Sequence, residues 1–220
     1  MLQYGRKKKM KNVKLKICGM KYPENIQEIS TLHPDYLGFI FWKKSTRYMD
    51  LDLIPEIPKS IKKIGVFVNT SIQEIISKVN KYQLYGVQLH GNESVSFCTK
   101  IKLLNVKIIK AFSIDTNFDF SVLEEFLPMV DYFLFDTKGK FPGGNGVTFD
   151  WNVLENYPFN KPFFLSGGIG INEEDAIKKF FKTEVAKKCI AVDVNSRFET
   201  KPGYKSEIKL RKFKKIINEI

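Results

Sequence analysis

The chain has 220 residues, 43% of them hydrophobic and 14% aromatic, enough apolar material for one sizeable core, which excludes an intrinsically disordered chain. Its 36 basic against 24 acidic residues leave a net charge of +12. The lysines gather at the two ends (Gly5-Arg6-Lys7-Lys8-Lys9-Met10-Lys11 and Lys209-Leu210-Arg211-Lys212-Phe213-Lys214-Lys215) and otherwise scatter, a solvated surface that favours anionic small molecules over nucleic acid. Three cysteines without close pairing exclude a disulfide framework and a structural zinc site. Without a secretory leader or an apolar run of about 18 residues, the chain is expected to be cytoplasmic, with no membrane or nucleic-acid partner.

Residues 1–11 offer little to bury and are expected to form a basic, disordered extension ahead of one domain over residues 12–220. From there, short β-branched runs alternate with segments of helical period. Strands are expected at Val13–Cys18, Tyr36–Phe41, Ile64–Val68, Gly86–Leu89, Val106–Phe112, Tyr132–Phe135, Pro162–Leu165 and Cys189–Val194. Between them, Ile72, Ile75, Ile76 and Val79 form the stripe of an amphipathic helix over Ser71–Lys81. Pro23-Glu24 and Asn172-Glu173-Glu174-Asp175 read as helix starts, and a last helix is expected over Lys205–Ile220. Eight strand–helix pairs without a linker point to a single-domain α/β (β/α)₈ TIM barrel, and the first strand lacks the glycine fingerprint of a dinucleotide-binding sheet.

Barrel enzymes carry their chemistry on the loops after the strands, and the unusual residues of this chain fall there. Cys18 ends the first strand and Asp136 the sixth; a lone cysteine is more often a buried hydrophobe and a lone aspartate a cap, but both would project into one barrel mouth. Gly167-Gly168 after the seventh strand and Asn195-Ser196 after the eighth occupy the places where barrels cradle phosphate with backbone N–H groups. Arg47, after the second strand, has the planar fork that suits a carboxylate, and His90 follows the fourth.

In order, Lys16-Ile17-Cys18-Gly19, Gly38-Phe39-Ile40-Phe41 with Ser45 and Arg47-Tyr48, Gly65-Val66-Phe67-Val68-Asn69, Val87-Gln88-Leu89-His90-Gly91, Phe135-Asp136-Thr137 with Gly143-Gly144, Phe149-Asp150-Trp151, Leu165-Ser166-Gly167-Gly168 and Val192-Asp193-Val194-Asn195-Ser196 resemble the phosphoribosylanthranilate isomerase family. The resemblance runs from Val13 to Pro202-Gly203 and departs at Lys43 and Thr46, where the family carries prolines, and at Arg197, where it carries glycine. The missing prolines imply a less rigid loop under Arg47, and Arg197 would be strained if its position demanded a left-handed backbone.

The resemblance implies an Amadori rearrangement of N-(5-phosphoribosyl)anthranilate in tryptophan biosynthesis, without metal or cofactor; a monomer is expected over a homodimer. It makes Asp136 the general acid and Cys18 the general base. Arg47 would take the anthranilate carboxylate, Asp193 the anthranilate nitrogen, and Gly167, Gly168, Asn195 and Ser196 the phosphate, with His90 lining the mouth in no assigned role. An ordinary thiol needs about 2 kcal/mol to ionise at neutral pH and an ordinary aspartic acid about 4 kcal/mol to stay protonated, so the site has to supply both. Helix N-termini and Arg47 are the expected sources of help for the thiolate. The alternatives are the histidine-pathway aminosugar isomerase, which uses aspartates at both positions, a metal-dependent epimerase, for which two histidines are too few, and a basic nucleic-acid-binding module.

Overall fold

Eight parallel strands close on themselves in chain order: β1 (Lys14–Ile17), β2 (Tyr36–Ile40), β3 (Lys62–Phe67), β4 (Gly86–Leu89), β5 (Lys107–Ile114), β6 (Tyr132–Thr137), β7 (Phe163–Ser166) and β8 (Cys189–Val194). The structure is a computed structural model that describes residues 13–137 and 151–220. The expected basic extension and the Gly143–Gly146 and Phe149-Asp150 motifs lie outside the described residues. All eight expected strands are present, two with the expected ends and the rest shifted by at most two residues.

Parallel neighbours require a crossover outside the sheet. Five are α-helices: α1 (Pro23–Ser30), α2 (Ile72–Tyr82), α3 (Val95–Lys102), α4 (Glu174–Phe180) and α5 (Glu207–Asn218). In α2, Ser71 Oγ accepts from the Glu74 N–H at 3.2 Å, while Ile75 and Val79 bury the inner stripe. Ser206 caps α5 in the same way, which is why that helix begins at Glu207 and not at Lys205.

The expectation of a helix after every strand fails at three places among the described residues. Between β2 and β3 the chain forms no helix and passes through Pro55 and Pro58, each of which removes a backbone donor and disfavours helical ψ at the preceding residue. After β5 and β6 stand 3₁₀ turns, Phe120–Phe126 and Trp151–Asn156. In the first, Phe120, Leu123 and Phe126 are buried at a spacing of three, the 3₁₀ repeat and not the α repeat. A short antiparallel hairpin, β9 (Glu199–Lys201) and β10 (Tyr204–Lys205), follows β8 and was not expected. Among the described residues no helix is long and apolar enough to cross a membrane.

Alternation along the strands sorts the core into two. Phe133, Phe135 and Phe163 face outward into the layer under the helices, while Tyr36, Ile64, Ile109, Leu134, Phe164 and Ala191 pack together inside the barrel. Two residues further along β6, β7 and β8 the inward positions turn polar: Leu134 leads to Asp136, Phe164 to Ser166 and Ala191 to Asp193. The apolar plug thus becomes the floor of a polar mouth at the strands' C-terminal ends, where the site lies.

Candidate active site

A cavity of about 220 Å³ opens above that plug. Cys18 and Asp136, one from the end of β1 and one from the end of β6, both line it, together with His90 and Asp193. Gly38 on β2 makes room for the thiol, since a Cβ there would lie 2.8 Å from Cys18 Sγ.

The wall around Cys18 is dense with buried charge. Lys16 sits two residues before Cys18 and shares its inward face; its register partner on β8 is Asp193, and Nζ meets Asp193 Oδ2 at 2.9 Å with neither side chain more than 5% exposed. Burial alone would depress the Lys16 ammonium, but Asp193 and Cys18 outweigh it and hold its pKa above the ordinary lysine value. Burial also raises the Asp193 carboxyl, which Lys16 opposes only in part. Asp193 Oδ1 has no partner among the described residues. Burial likewise raises the Cys18 thiol, against the pull of Lys16 and then Lys205. Two buried lysines, and not a helix N-terminus, are the main help for the thiolate, with Asp193 opposing them; the expected charge interaction of Arg47 with Cys18 is present beside them.

Arg47 does not line the cavity. Its guanidinium is gripped by Glu199, Nε to Oε1 at 2.8 Å and Nη2 to Oε2 at 2.7 Å. Lys205 Nζ reaches the same carboxylate at 2.7 Å, and the Gly203 N–H donates to it at 3.0 Å. Burial would raise Glu199, but Arg47, Lys205 and Gly203 together bring its carboxyl below the ordinary glutamate value. The loop expected to be loose without its prolines is held: Ser45 Oγ accepts from the Arg47 N–H at 3.1 Å, and Glu199 fixes the tip.

Across the cavity, His90 Nε2 lies 3.4 Å from Asp136 Oδ2, with the two side chains 30% and 35% exposed. Gln88, two residues earlier on β4 and fully buried, places Nε2 at 2.9 Å from His90 Nδ1, and its own Oε1 has no partner among the described residues.

The phosphate candidates line the third side. Gly167 and Gly168 take φ of +97° and +64°, backbone forms that glycine adopts without strain, and nothing lies within 4 Å of where a Gly168 Cβ would stand, so ligand atoms have room there. Asn195 and Ser196 line the same side, but Asn195 Oδ1 is engaged by Lys205 Nζ at 2.6 Å. Arg197 joins them on the cavity rim. It stands in a 3₁₀ turn, outside the left-handed residues, so the strain that an arginine would have suffered there does not arise.

Lys16, Gln88, Glu199 and Lys205 were absent from the sequence-based candidates. Lys16 and Gln88 carried a readable signal, a polar side chain two residues before a candidate on the same strand; Glu199 and Lys205 carried none, because only the hairpin after β8 brings them in.

A barrel whose mouth sets a thiol and a carboxyl around one cavity, beside glycine loops open to a ligand, has the layout of a (β/α)₈ enzyme. The profile of N-(5'phosphoribosyl)anthranilate (PRA) isomerase matches residues 15–216. The N-(5'-phosphoribosyl)anthranilate isomerase of Parabacteroides distasonis is 40% identical over 204 residues, 90% of each chain. A phosphoribosyl anthranilate isomerase solved with reduced 1-(o-carboxyphenylamino)-1-deoxyribulose 5-phosphate superposes with a TM-score of 0.76 at 28% identity, covering 94% of this chain and 100% of that one. Monomers generated from the dimeric Thermotoga maritima enzyme give 0.74 at 27% identity, with the same coverage. The chain belongs to the phosphoribosylanthranilate isomerase family.

Proposed function

We infer that the chain isomerises N-(5'-phosphoribosyl)anthranilate to 1-(2-carboxyphenylamino)-1-deoxyribulose 5-phosphate, the aldose-to-ketose step of tryptophan biosynthesis, with Asp136 as acid and Cys18 as base. The observation that carries the assignment is that these two groups line one cavity. Asp136 gives its proton to the furanose ring oxygen as the C1–O bond breaks and the nitrogen lone pair forms an iminium. Cys18 then takes the proton from C2, the C2–H electrons neutralise the iminium, and the resulting enolamine tautomerises to the ketone.

The other roles follow the chemistry of the groups. Gly167, Gly168, Ser196 and the backbone at Asn195 receive the phosphate. Asp193 Oδ1, buried and without a donor, suits the anthranilate N–H. Arg47 takes the anthranilate carboxylate with the guanidinium edge that Glu199 leaves open. We read the chain as a cytoplasmic monomer: its three cysteines are free and buried, as a reducing compartment preserves them, and its exposed large hydrophobics, such as Leu53, Leu103 and Ile208, sit singly on separate segments. Light scattering in solution decides the oligomeric state.

Steady-state kinetics test the whole reading. Wild type should turn over phosphoribosylanthranilate, followed by loss of its fluorescence, and Cys18→Ala and Asp136→Asn should each lose more than about a hundredfold in kcat with folding intact. Turnover retained in either variant removes that residue from the role.

A further inference from the structure

Gln88 is an unusual residue to find fully buried in a barrel. A buried amide offers two donors and two acceptor sites, and here Nε2 serves His90 Nδ1 while Oε1 has no donor among the described residues. An apolar side chain at this position would avoid that destabilising orphan. What the amide does accomplish is to settle the state of its neighbour. A neutral imidazole has one donor and one acceptor nitrogen; with Gln88 donating to Nδ1, the proton of His90 resides on Nε2. That nitrogen lies 3.4 Å from Asp136 Oδ2. The ring is anchored from its backbone as well, because the His90 N–H donates to the Phe67 carbonyl at 2.8 Å.

We propose that Gln88 fixes the tautomer of His90 so that Nε2–H is held as the donor for the carboxylate that Asp136 becomes on giving up its proton. The proposal rests on the reading of Asp136 as the acid. In the first step the Asp136 O–H bond breaks, the proton goes to the ring oxygen, and both electrons of that bond stay on the carboxylate. Nε2–H, 3.4 Å from the carboxyl and short of a hydrogen bond in this geometry, can close to one as this charge develops, so it stabilises the transition state more than the ground state. The opposite tautomer would turn a bare nitrogen towards a new anion. Gln88 and His90 are positioning residues in this scheme, acting through Asp136. The other charged groups around the ring are Asp193 from β8, Cys18 in the same cavity and the buried Lys110–Glu93 pair beside it, whose Nζ and Oε2 are 3.1 Å apart.

The chain has two histidines, which makes the test direct. In ¹⁵N-labelled full-length protein carrying His33→Asn, long-range ¹H–¹⁵N spectra report His90 alone. Neutral His90 should appear as a single Nε2–H tautomer. Gln88→Leu should give a tautomer mixture and lower kcat about tenfold with little change in KM. Gln88→Glu, whose carboxylate accepts from Nδ1–H, should drive the ring to the opposite tautomer and lower kcat further. If Gln88→Glu does not fold, the wild-type and Gln88→Leu spectra still decide. A wild-type ring with its proton on Nδ1, or a Gln88→Leu protein with unchanged tautomer and kcat, overturns the proposal. Turnover retained in Asp136→Asn overturns the acid assignment instead, a result distinct from an inactive Asp136→Asn beside unaffected Gln88 variants.

Discussion

The two walls of the cavity handle charge in opposite ways. Around Cys18, Lys16, Asp193, Glu199 and Lys205 are almost wholly buried, and every ion pair is 2.9 Å or shorter. Around Asp136, the carboxyl and its histidine are each about one-third exposed and 3.4 Å apart. A buried charged cluster cannot reorganise without exposing an unanswered charge, so it holds a fixed field at the thiol. The open wall is in contact with solvent and has room to tighten. On the proposed roles, the contrast sets the base in a preorganised charged wall against an acid on a more open one.

The largest effects should come from removing the two groups that the walls present. Cys18→Ala and Asp136→Asn are expected to cost 10²–10⁴-fold in kcat, the range for a positioned proton-transfer group, and a double variant should fall little below the worse single one if the groups act as a unit. Multiplicative losses would mean that the walls work independently.

The charged wall should matter next, and for stability. Glu199 answers two cations while only 7% exposed, so Glu199→Ala leaves both without a counter-charge, Lys205 keeping only Asn195, and should cost about 3 kcal/mol in denaturant unfolding. Its pH signature has a definite sign. The carboxyl of Glu199 lies below the ordinary value in the folded protein, so its stabilisation is fully present above the unfolded pKa, near 4.3, and is lost as pH falls through the folded one. Glu199→Gln should therefore flatten the acid limb of the stability curve below about pH 4.3. The same acid limb in wild type and variant would show that the cluster is held by other means.

The two walls also differ in how far the sequence exposed them. Position after a strand end located Cys18, Asp136 and His90, the family resemblance supplied Asp193, and period-two logic reaches Lys16 and Gln88. Lys16 is easily passed over in a lysine-rich chain, although its place two residues before Cys18 puts it on the same inward face. Arg47 and Glu199 are 152 residues apart, and their meeting depends on a hairpin whose two short strands carry no periodic signal. The helices expected after β5 and β6 failed for a related reason: apolar residues at a spacing of three satisfy the α stripe and the 3₁₀ repeat alike, and packing chooses.

A smaller effect probes the field at Cys18. Burial raises its thiol above the ordinary value while Lys16 pulls the other way. The thiolate is the charged form, so a raised pKa moves it to higher pH, and kcat/KM should climb between pH 7 and 9. Iodoacetamide labelling of Cys18, located by mass spectrometry, should rise with a midpoint above that of a free thiol. Lys16→Met should move the midpoint further up and slow labelling at pH 8, roughly tenfold for each pK unit. A profile flat from pH 6 to 9 with chemistry rate-limiting, or a midpoint indifferent to Lys16, would mean that the buried charges do not act on the thiol.

The smallest effect lies on the rim between the walls, at Arg197. A strained arginine would be relieved by glycine, and Arg197→Gly would then stabilise the fold. The backbone found there is free of left-handed strain, so glycine adds only unfolded-state entropy and should destabilise by about 0.5–1 kcal/mol. The exposed cation on a cavity rim also raises the local concentration of an anionic substrate, an attraction screened by salt. Arg197→Gly should accordingly raise KM a few-fold at low ionic strength, leave kcat unchanged, and lose most of that difference at about 0.5 M salt. Stabilisation together with an unchanged KM would place the rim outside the electrostatics of both walls and return Arg197 to a purely conformational role.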